Sequence, residues 1–139
     1  MKKVLLIICL LITGLTFSQS KKQTEKWNLI DSLEIEGRNE TADSLVREIM
    51  SYSRKKKDFS DFIKSKIYHY KFYQINHENS NQYILNDLNA FIEDLPNPYK
   101  NIAYGYKGIM LLQYFQEHRW QIRNRTKLED SISNEIETW

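Results

Sequence analysis

Cysteine is all but missing from this sequence: the only one, Cys9, sits inside an apolar run near the amino terminus. A lone thiol excludes a disulfide framework and a cysteine-based zinc or redox centre. Proline and glycine are scarce too, at two and four of 139 residues, which excludes low-complexity organisation and leaves few places where a helix must break. The usual signatures of catalysis are also absent. There is no Gly-x-Ser-x-Gly elbow, no glycine-rich phosphate loop and no paired-carboxylate motif, so no nucleophile or phosphate cradle is legible and the chain is not expected to be an enzyme.

An excess of one charge is missing as well, once the amino terminus is understood. Lys2 and Lys3 precede an unbroken apolar run, Val4 to Ile12, which is followed by small residues at Thr16 and Ser18. That order is the layout of a secretory signal peptide, residues 1–18, cleaved after Ser18. The apolar core is half the length of about 20 residues that a membrane span needs. Ile8 stands where a lipid-anchored cysteine would want a small residue, so Cys9 is not read as a lipidation site. Removing residues 1–18 takes away two of the 20 basic residues and no acidic one, leaving 18 against 18. A mature chain without net charge has no electrostatic case for nucleic acid. The expected location is the periplasm or the exterior.

What the sequence does have is aromatics and helical periodicity. Aromatic residues make up 13% of the chain, nine of them Tyr, enough to build a core in a single domain over residues 19–139. Trp27, Leu29, Ile30 and Leu33 recur at helical spacing from a Thr24 cap to Gly37. Ala42, Leu45, Val46, Ile49 and Met50 follow i, i+3, i+4, i+7, i+8, and the run Arg54 to Lys57 closes that helix as a solvated basic terminus. A third helix, from Asp58 or Ser60 to Asn76, is apolar on two faces: Phe59, Phe62, Ile63, Ile67 and Tyr70 on one, Tyr68, Phe72 and Ile75 on the other. It is expected between two neighbours. Ser80 caps a fourth, with Ile84, Leu85, Leu88, Phe91, Ile92 and Leu95 as its buried stripe up to Pro96.

Asn97 and Pro98 cap and begin a fifth helix that runs to Trp120. Gly105 and Gly108 share a face there, and each costs about 1 kcal/mol of helix propensity against Ala. That cost predicts a closely approaching neighbour, with Tyr106, Ile109, Met110 and Leu112 packed around it. Gln121 to Lys127 reads as a polar loop. Asp130 or Ser131 then caps a last helix carrying Ile132, Ile136 and Trp139.

No stretch alternates with period two. The expected fold is therefore all-α: about six helices in antiparallel hairpins of 33 to 37 residues, stacked as a short TPR-like α-solenoid. A single helix of this kind buries too little apolar surface to offset the entropy of ordering it, so the hairpins must stack.

The histidines offer no ligand set. His77-Glu78 lacks the second histidine of a zinc-protease motif, because Asn81 stands in its place. His69 and His77 are eight residues apart, about 80° around a helix, and share no tight face. No metal and no cofactor are expected. The run Tyr68 to Tyr73 reads as core rather than as a base-stacking platform, and the glycosylation patterns at Asn39 and Asn124 are too common to weigh.

Two stretches resemble a known group. Trp27 to Glu34, followed by Gly37, Ala42, Leu45-Val46 and Ile49, is similar to the opening of large bacterial alpha-2-macroglobulin-like proteins. Tyr114 to Thr126, followed by Glu135 to Trp139, resembles the Q-x-x-R-W-x-I-x-N-R-T … I-x-T-W region that follows their first helices. The stretch from Arg119 to Thr126 is the specific part. The resemblance implies very large exported proteins of stacked β-sandwich domains that trap proteases, some through a cysteine–glutamine thioester. None of those parts is in these residues. For this chain the resemblance implies a helical leader, a non-catalytic scaffold or interaction module whose partners are the downstream domains of the same protein or other proteins. The stop at Trp139, on an apolar stripe, is expected to mark a chain that continues. Arg119, Trp120, Asn124, Arg125, Thr126 and Trp139 are the candidate docking residues, with Trp120 as a packed anchor. The competing expectation is a free-standing exported helical-repeat adaptor that binds peptides or partner proteins in a groove.

Overall fold

The computed structural model describes residues 22–124 and 135–136. The signal-peptide reading of residues 1–18, most of the last expected helix and the candidates Arg125, Thr126 and Trp139 lie outside them. Within the described residues the fold is all-helical and has no strand: α1 (22–35), α2 (Asn39–Lys56), α3 (Phe59–Asn76), α4 (Asn81–Glu93) and α5 (Tyr99–Asn124).

Helix α1 buries Trp27, Ile30 and Leu33, the i, i+3, i+6 positions of its apolar stripe, and leaves Leu29 exposed. Thr24 is not its cap, since the helix already includes residues 22 and 23. The end is chemically determined. Gly37 takes a left-handed φ of +74°, its N–H donates to the Glu34 carbonyl at 3.0 Å, and the Arg38 N–H donates to that of Leu33 at 2.8 Å. This pair of bonds satisfies carbonyls that a helix end otherwise leaves orphaned.

Helix α2 ends in the same pattern without a glycine. Lys57 adopts φ 57°, and the Asp58 N–H donates to the Ser53 carbonyl at 2.9 Å. Asp58 then starts α3, its Oδ1 accepting from the Asp61 N–H at 3.2 Å. A two-residue link of this kind turns α3 back against α2 as a hairpin.

Two apolar clusters share α3. Trp27, Ile30 and Leu33 of α1, Ala42, Val46 and Ile49 of α2, and Phe72 of α3 form one. Ile63 and Tyr70 of α3 join the α4 stripe with Ala103, Met110 and Tyr114 of α5, and with Ile136, in the other. The two-faced third helix is thus held between neighbours. The α4 stripe read from the sequence is buried throughout, from Ile84 to Leu95.

The later part of the chain differs from expectation in four places. Ser80 precedes α4, but its side chain makes no capping hydrogen bond. Helix α5 begins at Tyr99, one residue after Pro98. It continues through Asn124, so the first four residues of the expected Gln121–Lys127 loop are helical. The reason is local: Gln, Ile and Arg extend a helix readily, and no Gly or Pro interrupts them. Finally, a Cβ added at Gly105 or Gly108 would meet nothing within 4 Å. No helix among the described residues approaches them, and Ile109 and Leu112 are exposed beside them.

Candidate interaction surfaces

At 100° per residue, Ala103, Met110 and Tyr114 point α5 at the core, and the opposite side carries Ile102, Gly105, Gly108, Ile109, Leu112, Arg119 and Trp120 within about 120°. Ile109 is 63% exposed and Trp120 77%. Scattered exposed apolar residues are ordinary on a protein surface, but Ile102, Ile109 and Leu112 line up with the two glycines over the first half of the helix, and beyond them Gln116, Arg119 and Arg123 make the face polar around Trp120. Orientation alone keeps this row out of the core, and α5 is also much longer than its neighbour α4. A helix of 26 residues runs about 39 Å while the 13 residues of α4 span about 20 Å, so α4 covers only half of α5. Asn81, at the start of α4, lies with Met110, Gln113 and Tyr114 around one small cleft. Beyond that level α5 projects past α4.

Arg119, Trp120 and Asn124 all fall on this projection and all are exposed. Nothing among the described residues covers the expected anchor Trp120, whose indole faces solvent. The structure brings these three predicted residues onto one helix end. The same stretch contributes one buried contact from further along the chain. Ile136 is fully buried in the second cluster, and its N–H donates to Gln82 Oε1 at 2.7 Å.

A second surface lies between α2 and α4, with α3 as its floor. It is a groove of about 490 Å³ lined by Arg47, Met50, Arg54 and Lys55 on one wall, Asp87, Ala90, Phe91 and Asp94 on the other, and Phe62 and Lys66 below. Phe62 and Phe91 meet edge to face, 5.1 Å between ring centres, and make the floor apolar. One end is closed by a polar network. Asp87 Oδ2 accepts from Lys66 Nζ at 2.6 Å and from Tyr70 Oη at 2.7 Å. Across α3, Asp43 accepts from Arg47 Nε at 3.2 Å and pairs with His69 Nδ1 at 2.7 Å.

These contacts set the ionisation. Burial alone would raise the Asp87 carboxyl, but the bonds from Lys66 and Tyr70 hold it below its ordinary value. Burial, reinforced by the hydrogen bond to Asp87, pushes the Tyr70 phenol well above the usual range. At the other end of the groove, Arg54 and Lys55 have no ion-pair partner among the described residues. The sequence shows the basic run but not the groove. The positions 47, 50, 51, 54 and 55 share one side of α2, yet only the packing places that side opposite α4.

The three histidines are dispersed. His69 is held by Asp43, while His77 and His118 bond through Nδ1 to the carbonyls of Tyr73 and Tyr114 one turn earlier, at 3.1 and 3.0 Å. No group of three or more metal-ligating side chains comes together among the described residues. None of the described helices is long and apolar enough to cross a membrane. A further cleft near the start of α1 is lined by Gln23, Trp27, Tyr52, Lys56 and Asp61, with the Lys64 ammonium 3.8 Å from the centre of the buried Trp27 ring. No protein-family model matches this chain, and neither a curated protein nor a solved structure does.

Proposed function

We propose that the chain is a non-catalytic scaffold module, a short TPR-like stack of helical hairpins at the start of an exported alpha-2-macroglobulin-like protein. Its task in this reading is to dock on the parts of that protein that follow it. The observation that carries the proposal is the outer face of α5. An apolar row with two glycines along it accommodates a close helical neighbour, and two Cβ atoms fewer let backbones approach. The stretch that resembles the family, Arg119 to Thr126, starts on the same helix end. A docked neighbour would remove Ile109, Leu112 and Trp120 from water, at about 25 cal/mol for each Å² of apolar area covered. The guanidinium of Arg119 would bring fixed hydrogen-bond geometry to the same contact.

The test is hydrogen exchange on the exported protein as cells make it, against a variant carrying Ile109→Glu and Leu112→Glu. The proposal expects slow exchange along α5 in the natural product and fast exchange, with α1 to α4 unchanged, in the variant. Equal exchange in the two would end the proposal. So would a natural product that terminates at Trp139 and stays monomeric with α5 fully exchangeable.

A further inference from the structure

The groove between α2 and α4 has donors on one wall, an acceptor on the other and an apolar floor. Arg54 and Lys55 stand on the α2 wall without ion-pair partners among the described residues, and Asp94 stands across from them on the α4 wall. Neither forms an ion pair with Asp94 within 4 Å among the described residues. The apolar lining is Met50 on the α2 wall, Ala90 and Phe91 on the α4 wall, and Phe62 below. The other two cations of the groove, Arg47 and Lys66, are already matched by Asp43 and Asp87. The open charge is thus confined to one end and is positive on one side only.

From this we infer that the groove binds an extended segment of a partner polypeptide that carries a carboxylate beside an apolar side chain. The carboxylate is held by Arg54 and Lys55, the apolar side chain lies on Phe62 and Phe91, and backbone N–H groups of the segment donate to Asp94. Each part of the ligand answers one wall. Arg47 to Arg54 spans about 10 Å of helix, which is about three residues of extended chain, so the contact is short. Asp94 decides between classes of ligand. A phosphate or an anionic membrane brings its negative charge up against Asp94 and is repelled by it, whereas an extended peptide seats its carboxylate on the far wall and presents an N–H at every residue but proline. The inference is independent of the α5 face, which points away from this groove on a different helix.

Fluorescence anisotropy on the full chain tests it, with three fluorescein-labelled probes. The first alternates glutamate and leucine and is amidated at its C-terminus. The second has lysine in place of glutamate, and the third is a leucine peptide whose one carboxylate is its free C-terminus. Saturable binding of the first or third probe but not the second is expected, and which of the two binds tells a side-chain carboxylate from a terminal one. The double variant Arg54→Glu, Lys55→Glu should lose at least about tenfold in affinity, the scale of a charge-assisted hydrogen bond, while Arg123→Glu on α5 should bind as the parent does. Both substituted groove positions are exposed. Should the double variant nonetheless lose its helical spectrum, amide shifts of the unaltered protein on adding the first probe decide instead, and they must fall in 47–55 and 87–94. Equal binding of the lysine probe, no loss in the folded double variant, shifts elsewhere, or binding to phosphatidylglycerol vesicles with none to the peptides would overturn the inference.

Discussion

Tyr70 and Lys66 donate to the same oxygen of Asp87, from one helix to the next, at 2.7 and 2.6 Å. Tyr70 is buried in the second cluster, so its hydroxyl would be an unsatisfied donor without this carboxylate. The pair therefore contributes to holding α4 on α3 in one register.

Removing the hydroxyl while keeping the ring isolates that contribution. Tyr70→Phe should cost about 1–2 kcal/mol, the usual worth of a hydrogen bond to a charged group less some relaxation, read as a lower denaturant midpoint with an unchanged slope. Because the Asp87 carboxyl is held below its unfolded value, its contribution is present above the ordinary aspartate range. It is lost as pH falls through the folded-state value. Asp87→Asn should flatten the acid limb of a stability–pH curve and leave the limb above neutrality in place.

Ile136 is the only described apolar residue beyond Asn124, and it is fully buried. Truncating it leaves a cavity against α4, so Ile136→Ala should destabilise by about 2–4 kcal/mol. The smaller Gln82→Ala change removes the acceptor for its N–H together with an exposed bond to Asn86 Oδ1 at 3.0 Å, and should cost about 1 kcal/mol. Thermal melts of both variants check the ordering.

Gly105 and Gly108 lie in mid-helix with open space around them. Each replacement by Ala should stabilise the isolated chain by about 0.5–1 kcal/mol. A destabilising result in chemical denaturation would place a close neighbour at those positions in solution.

Two helices end in the same hydrogen-bonded turn with different residues. Gly37 reaches its left-handed φ freely, while Lys57 holds φ 57° with a Cβ attached. Lys57→Gly should therefore gain up to about 1 kcal/mol and Gly37→Ala should lose about 1 kcal/mol. Opposite signs in matched unfolding curves are the expected outcome.

The helices were legible where one residue pattern settled both period and burial. The α4 stripe read from spacing alone is the buried stripe, and in α2 Ala42, Val46 and Ile49 are buried while Leu45 and Met50 are half-buried; the two apolar faces of α3 foretold its two neighbours, although Ile75 is exposed. The errors have a common cause. At Gly105 and Gly108 the propensity cost is real, but the sequence cannot tell a neighbour present in the fold from one that would come from elsewhere. At Trp120 the expected anchor came from the resemblance, and within the described residues its side chain lies on the side of α5 turned away from the core. A groove was expected only in general terms and its lining was not legible, since Arg54 and Asp94 are forty residues apart and only the stacking of α2, α3 and α4 brings their walls face to face.

Helix α3 places Phe72 in one cluster and Ile63 and Tyr70 in the other. Each half of the molecule therefore rests on a surface that the other half helps to hold in place.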